Sequence, residues 1–497
     1  MGRSNQHKPT PPKEIIKPHA ERLWKMGMPD TKIVDHLTDH YDTELYGLSV
    51  WTFRDWRKEW GWKSTKKQKH TEGTILPLYM EICKRYPGMG ARTMVHTLRQ
   101  DYNVKVPELM VQNLLRNNEP ELVKARQAKR FKRKRFFAAG VMDIVTMDQH
   151  DKWKRFGLWL HLGLDPFSGF ITWLKVWWTN RNPRLIAKYY LDASRKLGGV
   201  PLVTQSDPGT ENYSVANLHT MIRHRLDPSL SDTLQHRWMR KNMNIKAECG
   251  WSVIRRHFTP GFENILDYGV NEGIYVPDDP LHRLVFLWLA IPWIQEEIDH
   301  WVERRNTTPR RSDRNKVLPP GIPAIIHTQP QRFNAYDFKI AVPEELFDEM
   351  ENKWAPSDHP VFQLVPPDFD AKAALLYGAI GAPSVCSDNF WEVYATLLDS
   401  FESDSVRQSF DLQSITENYD RDNDESITDQ VDLIDGLKNL QFGEDNIGTL
   451  GYTYMGGLVD PLFAHSGDEE VEVEVEEGGS SNRHLRMYAD FSDVEDE

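Results

Sequence analysis

Apolar positions recur at helical spacing as far as about Asn117, change near Val141 to short extended runs, and lose their periodicity toward the acidic end of the chain. Two helical triplets fill the first stretch. In the first, helices are predicted from Ile15 to Met26, after Asp30 (read as an N-cap) through Ile33, Val34 and Leu37, and after a Ser49 cap through Val50, Phe53, Trp56 and Trp60. The other faces of that last helix carry Arg54, Arg57 and Lys58, the layout of a helix-turn-helix that offers cations to a major groove. A small helical bundle with a solvated charged face has the same pattern. The second triplet comprises Ile75 to Tyr86, Ala91 to Tyr102 beyond a turn at Gly88-Met89-Gly90, and a helix opened by Pro107.

From Val141 the runs Val141–Asp148, Leu158–Asp165 and Ile171–Trp178 read as strands of an antiparallel meander, the second and third joined through Pro166-Phe167-Ser168-Gly169. A helix over Arg184–Lys196 leads to the short apolar strand Pro201–Thr204. Strand, strand, strand, helix, strand is the opening order of a ribonuclease-H-like fold. The predicted class is α/β, a mixed five-stranded sheet with flanking helices, preceded by all-α helix-turn-helix units. More helices are expected at Val215–Arg223, Ala247–His257, His282–Arg304, Pro343–Asn352 and Phe390–Phe401.

These patterns divide the chain into helix-turn-helix units at 12–66 and 72–122, a basic linker at 123–137, a core at 138–332, an extension of unassigned role at 333–401 and a mostly disordered acidic tail at 402–497. The net charge of −12 is unevenly spread. Residues 1–140 sit near +13 and the remainder near −25, both about, which makes the N-terminal part the candidate footprint for a phosphate backbone. The densest run, with Lys124, Arg126, Lys129, Arg130, Lys132, Arg133, Lys134 and Arg135, suits phosphate binding or a nuclear import signal, and a solvated linker remains a third reading. No apolar run spans a bilayer, no secretory signal opens the chain, and its 3 cysteines are too scattered for a disulfide framework, so a membrane partner is not expected and the nucleus is the expected location.

Three acids stand where chemistry could be done. Asp148 closes the first strand, Asp207 follows the fourth, which in such a sheet lies beside the first, and Glu248 sits near the start of a helix able to cover that edge. Hard divalent cations take oxygen ligands, so converging carboxylates point to Mg²⁺ or Mn²⁺ in a two-metal site for phosphodiester chemistry. Each acid has a plainer role open to it: Asp148 as a turn residue with Asp143 its rival on the strand, Asp207 as a turn former, and Glu248 as a first-turn acid favoured by the helix dipole. Asp165 reads as the turn former ahead of Pro166.

The blocks around these acids resemble a known family. Asp148-Gln149-His150-Asp151-Lys152-Trp153 with Leu160 to Gly169, then Gln205-Ser206-Asp207-Pro208-Gly209-Thr210-Glu211-Asn212, then Asn244-Ile245-Lys246-Ala247-Glu248-Cys249-Gly250-Trp251, are similar to the catalytic blocks of integrase-core proteins of fungal and animal genomes, relatives of retroviral integrases and transposases. The resemblance covers about residues 135–330. It implies a DDE recombinase in which Asp148, Asp207 and Glu248 are catalytic and hold Mg²⁺ or Mn²⁺. DNA is the implied partner, with a homo-oligomer admitted as a second. Lys246, Arg255 and Arg256, on or near the last helix, are further candidates for DNA phosphates, although a solvated face accounts for them nearly as well. Two departures stand out: Ala247 precedes the glutamate, and the interval from Asp207 to Glu248 is longer than in retroviral enzymes. The His/Cys zinc domain of retroviral integrases is missing, so zinc is not expected. A domesticated, non-catalytic DNA-binding regulator and a hydrolytic nuclease of the same fold are the competing functions.

Overall fold

The computed structural model describes residues 8–126, 136–239, 244–310, 317–403, 431–440 and 453–454. These form two compact units divided near Lys129 and Arg130. In the N-terminal unit the helices are α1 (Lys13–Lys25), α2 (Asp30–Leu37), α3 (Val50–Glu59), α4 (Glu72–Arg85), α5 (Ala91–Tyr102) and α6 (Glu108–Asn118), with short turns of helix after α3 and α6. Their apolar stripes make the core: Ile16, Ala20, Leu23 and Trp24 from α1, Ile33 and Leu37 from α2, Phe53 and Trp56 from α3. Ser49 caps α3, its hydroxyl accepting from Thr52 N at 3.0 Å. Asp30 is not the cap expected for α2. Pro29, with φ near −67°, holds that position, and Asp30 opens the helix with its carboxylate turned to Arg54 and Arg57. The two triplets meet: Lys105 Nζ lies 3.1 Å from the Trp24 ring centroid, and the Gln68 amide bonds to Asn103 O and Lys105 N.

The second unit is built on a five-stranded sheet of β1 (Ile144–His150), β2 (Trp159–Leu164), β3 (Ile171–Trp177), β4 (Val203–Ser206) and β5 (His236–Trp238). The spatial order is β3-β2-β1-β4-β5, with β1, β2 and β3 antiparallel and β4 and β5 parallel to β1. This is the ribonuclease-H-like arrangement. Its strands β1 and β2 are buried on both faces, so they read as near-continuous apolar runs. The fifth strand, only three residues long and containing Arg237, carries almost no periodic signal, which explains why sequence pattern did not locate it.

The helices are α7 (Pro183–Leu197), α8 (Tyr213–Leu226), α9 (Ile245–His257), α10 (Thr259–Asn271) and α11 (Pro280–Thr307). Asn182 caps α7, and Gly198 ends it at φ +69°. The long α11 is laced to β3 by side-chain amides: Gln295 bonds Val176 N and Leu174 O, and Asn306 bonds both Ile171 N and Ile171 O.

Residues 333–401 are part of this unit. They supply α12 (Glu344–Trp354), α13 (Pro367–Ala379) and α14 (Phe390–Glu402). Glu351 accepts from Lys188 and Arg195 of α7, and the indoles of Trp177 and Trp178 donate to Val361 O and Gln363 O. Helix α13 follows a proline-rich stretch that hid it from the sequence pattern. Within the expected acidic tail, residues 431–440 lie against the core: Asn217 bonds Asp432 O and Ile434 N, and Lys438 N donates to Asp232 O. Most of the remaining tail, like Lys129–Arg135 of the basic linker, lies outside the described residues.

Candidate active site

Asp148 and Asp207 are neighbours because β1 and β4 are parallel and in register. Thr146 pairs with Gln205, and each aspartate lies two residues further along its own strand direction. Glu248 comes from the first turn of α9, a helix that packs on β1 and β2. Gly250 lets that helix sit close: a Cβ there would lie 2.6 Å from Leu162 Cδ2.

Asn244 ties the three elements together. It is fully buried, precedes α9, accepts from Thr146 Oγ1 at 2.5 Å and Gln205 Nε2 at 3.4 Å, and donates to Met147 O at 2.9 Å. Its amide also bonds the Asp207 side chain, while Glu248 N donates to Asn244 O at 3.2 Å. One buried amide therefore fixes the start of the Glu248 helix against the ends of both aspartate strands. In the sequence it was visible only as a spacing.

The charges of the site oppose one another. Burial raises the Asp148 carboxyl well above the ordinary carboxylate range, and the nearby Asp207 and Glu248 charges push it the same way. Burial also raises Asp207, against the hydrogen bond from Asn244. Among the described residues, Asp207 Oδ1 is buried without a hydrogen-bond partner. A fourth acid, Glu211, is raised by burial and by Asp207. It bridges the segments around Asp148 and Asp207 by accepting from Gln149 Nε2 at 3.2 Å and Asn212 Nδ2 at 3.0 Å. Its carboxylate occupies the space a Cβ on residue 209 would need, which accounts for Gly209. Beyond Asp148, His150 stacks on Trp251 at 4.8 Å, and burial with the charges of Arg255 and Lys152 pushes it down to about 4.

Among the described residues no group of three His, Cys, Asp or Glu side chains is close enough to hold a metal ion. The donor chemistry nevertheless fits a hard divalent cation: hard oxygen donors on three elements, a strongly raised Asp148 that feels both other charges, and an orphaned buried oxygen on Asp207.

The residues singled out for DNA fall into three sets. In the N-terminal unit, Arg54 and Arg57 bond Asp30 at 3.2 and 2.6 Å, and Lys58 bonds Asp55 at 2.7 Å. The α3 cations are thus partly engaged within the unit, with Trp51 exposed beside Arg54. Lys129, Arg130, Lys132, Arg133, Lys134 and Arg135 lie outside the described residues. On α9, Lys246, Arg255 and Arg256 are half-buried, and Arg256 Nε donates to Ser252 O at 3.4 Å. Asp165 is buried in the β2–β3 turn, accepting from Phe167 N and Ser168 N and bonding the Ser168 hydroxyl.

Residues 140–322 match the family model described as integrase core domain, consistent with a protein of the retroviral-integrase-like superfamily. No curated protein matches the chain. Among the described residues no helix is long and apolar enough to cross a membrane.

Proposed function

We propose that this chain is a DNA integrase or transposase-like protein, a DDE-type polynucleotidyl transferase that cleaves phosphodiesters and transfers strands. The carrying observation is the register that sets Asp148 and Asp207 level on adjacent parallel strands, under a helix bearing Glu248 whose charge Asp148 feels. These three carboxylates would hold Mg²⁺ or Mn²⁺. Divalent cations bound there supply activation of the attacking oxygen and stabilisation of the leaving one. The chain's own residues do the rest. Asn244 orients Asp207 and the start of α9, Gln149 and Glu211 clamp the Asp148 strand to the Asp207 loop, and Lys246, Arg255 and Arg256 offer cations to a nearby phosphate. The N-terminal helical units are read as the DNA-binding part, and the nucleus as the place of action.

The test compares wild type with Asp207→Asn on labelled duplexes carrying the ends of the genetic element that encodes the chain, with Mg²⁺ or Mn²⁺. Wild type is expected to nick or join strands, and the variant to bind equally and yield no product. Wild type that binds those ends tightly and leaves them intact would replace this reading with the DNA-binding regulator. Equal cleavage by both proteins would remove Asp207 from the site.

A further inference from the structure

Where the two helical triplets meet, cations gather with little to balance them. Arg57 projects from α3, Arg99 from α5, and Lys105 from the segment between α5 and α6. The Arg99 guanidinium lies against Gly27, occupying the space a Cβ would need, in the φ +83° turn between α1 and α2. Lys105 Nζ sits over the Trp24 ring at 3.1 Å. Asp30 is the anion of the group, and Arg54 and Arg57 already claim both its oxygens. Neither the Arg99 guanidinium nor the Lys105 ammonium hydrogen-bonds or pairs with a carboxylate among the described residues, and the Nε atoms of Arg57 and Arg99 are buried without partners. Both Arg99 and Lys105 are half-buried, so the group is shielded yet reachable.

Like charges held together out of water repel, and the cost shows on Lys105. Burial, then Arg99, then Arg57 push its ammonium down to about 7, with only Asp30 opposing. An anion placed among these groups would act with Asp30 to offset the Arg99 and Arg57 charges, and would give the orphaned guanidinium donors an acceptor.

We propose that Arg57, Arg99 and Lys105 form an anion site at the seam of the two triplets, and that its ligand is a backbone phosphate of duplex DNA. This rests on the reading of the chain as a DNA-acting protein. The unit's excess of Lys and Arg favours a polyanion over a small free anion, because a polyanion can engage other basic residues of the unit while filling this site. The site also gives the contact between triplets a purpose: a phosphate there would touch both, fixing them as one reading head rather than two independent ones.

The test uses the full chain. Affinity for a 30-base-pair duplex is measured against salt for wild type and for the Arg99→Gln/Lys105→Gln double variant. Losing one phosphate contact should flatten the slope of log K against log salt by about 0.9 and weaken binding on the order of ten-fold at moderate salt. Identical slopes would overturn the site and leave the wider DNA reading intact, whereas wild type that fails to bind DNA even at low salt would overturn both.

A second measurement needs no variant. Acylation of wild-type lysines, read by mass spectrometry, should find Lys105 reactive in the free protein and protected by duplex DNA. Protection by inorganic phosphate without protection by DNA would assign a free anion instead. Reactivity unchanged by either would make the cluster structural.

Discussion

Replacing Asn244 by leucine, which has the same branched arrangement of heavy atoms, tests the link between fold and site. The amide is fully buried and serves Thr146 Oγ1, Met147 O, Gln205 Nε2 and Asp207 together. Leucine keeps the branched heavy-atom shape, adds methyl bulk and removes every side-chain bond. The Thr146 hydroxyl, itself fully buried, and the Met147 carbonyl then lose this partner at about 1–3 kcal/mol each, and burial of the extra apolar surface returns about 1 kcal/mol. A net loss of about 3 kcal/mol is expected in the second unit. At about 2 °C per kcal/mol for a unit of this size, its calorimetric transition should fall by about 6 °C. The transition of the N-terminal unit should stay in place. Any rise in melting temperature that Mn²⁺ gives wild type should shrink in the variant, because Asp207 and α9 lose their common anchor. A shift under about 1 °C would refute the reasoning, since a hub with four live bonds cannot be removed at so small a cost.

Three further outcomes follow from particular contacts. Asp207→Asn removes a carboxylate whose charge pushes on Asp148, so the cation-free protein should melt no lower than wild type while stabilisation by millimolar Mn²⁺ disappears; a variant still stabilised by Mn²⁺ would contradict the ligand assignment. Gly163→Ala should destabilise the second unit by about 1–3 kcal/mol in urea titrations, because its Cβ would lie 2.4 Å from Trp173 ring atoms and that indole is held by His161 at 3.0 Å; an unchanged midpoint would show that the ring can move. Burial holds His219 down to about 3, against an ordinary 6.5, where it bonds Tyr190 Oη and Leu202 O. A depressed folded value means that its stabilising contribution is full above pH 6.5 and lost as pH falls toward 3. His219→Gln should therefore lessen the pH dependence of unfolding between about pH 6 and 4 by about 1.4 kcal/mol per unit, and parallel curves for the two proteins would exclude this origin.

Much of this architecture could be read from local pattern because local physics made it. The amphipathic stripe of α5, the Ser49 cap, the apolar runs of β1 to β3 and the helix ended at Gly198 each depend on residues a few positions apart. The order of strands along the chain is enough to set Asp148 and Asp207 on adjacent strands. Other features depend on partners distant in sequence. Asp30, a good cap in isolation, is drawn into ion pairs by arginines more than twenty positions away. Strand β5 exists because β4 offers it an edge, and α12 to α14 because α7, α10 and α11 leave surfaces to cover. Asn244 and Glu211 gain their meaning only when strands about 100 and 60 residues away arrive beside them. Likewise Arg99 and Lys105 look like ordinary surface cations along the chain. Sequence by itself determined most of the helices and the first four strands, and which acids could meet. Tertiary packing decided which charges are balanced and which are left facing one another, because solvation and Coulomb energy depend on neighbours in space.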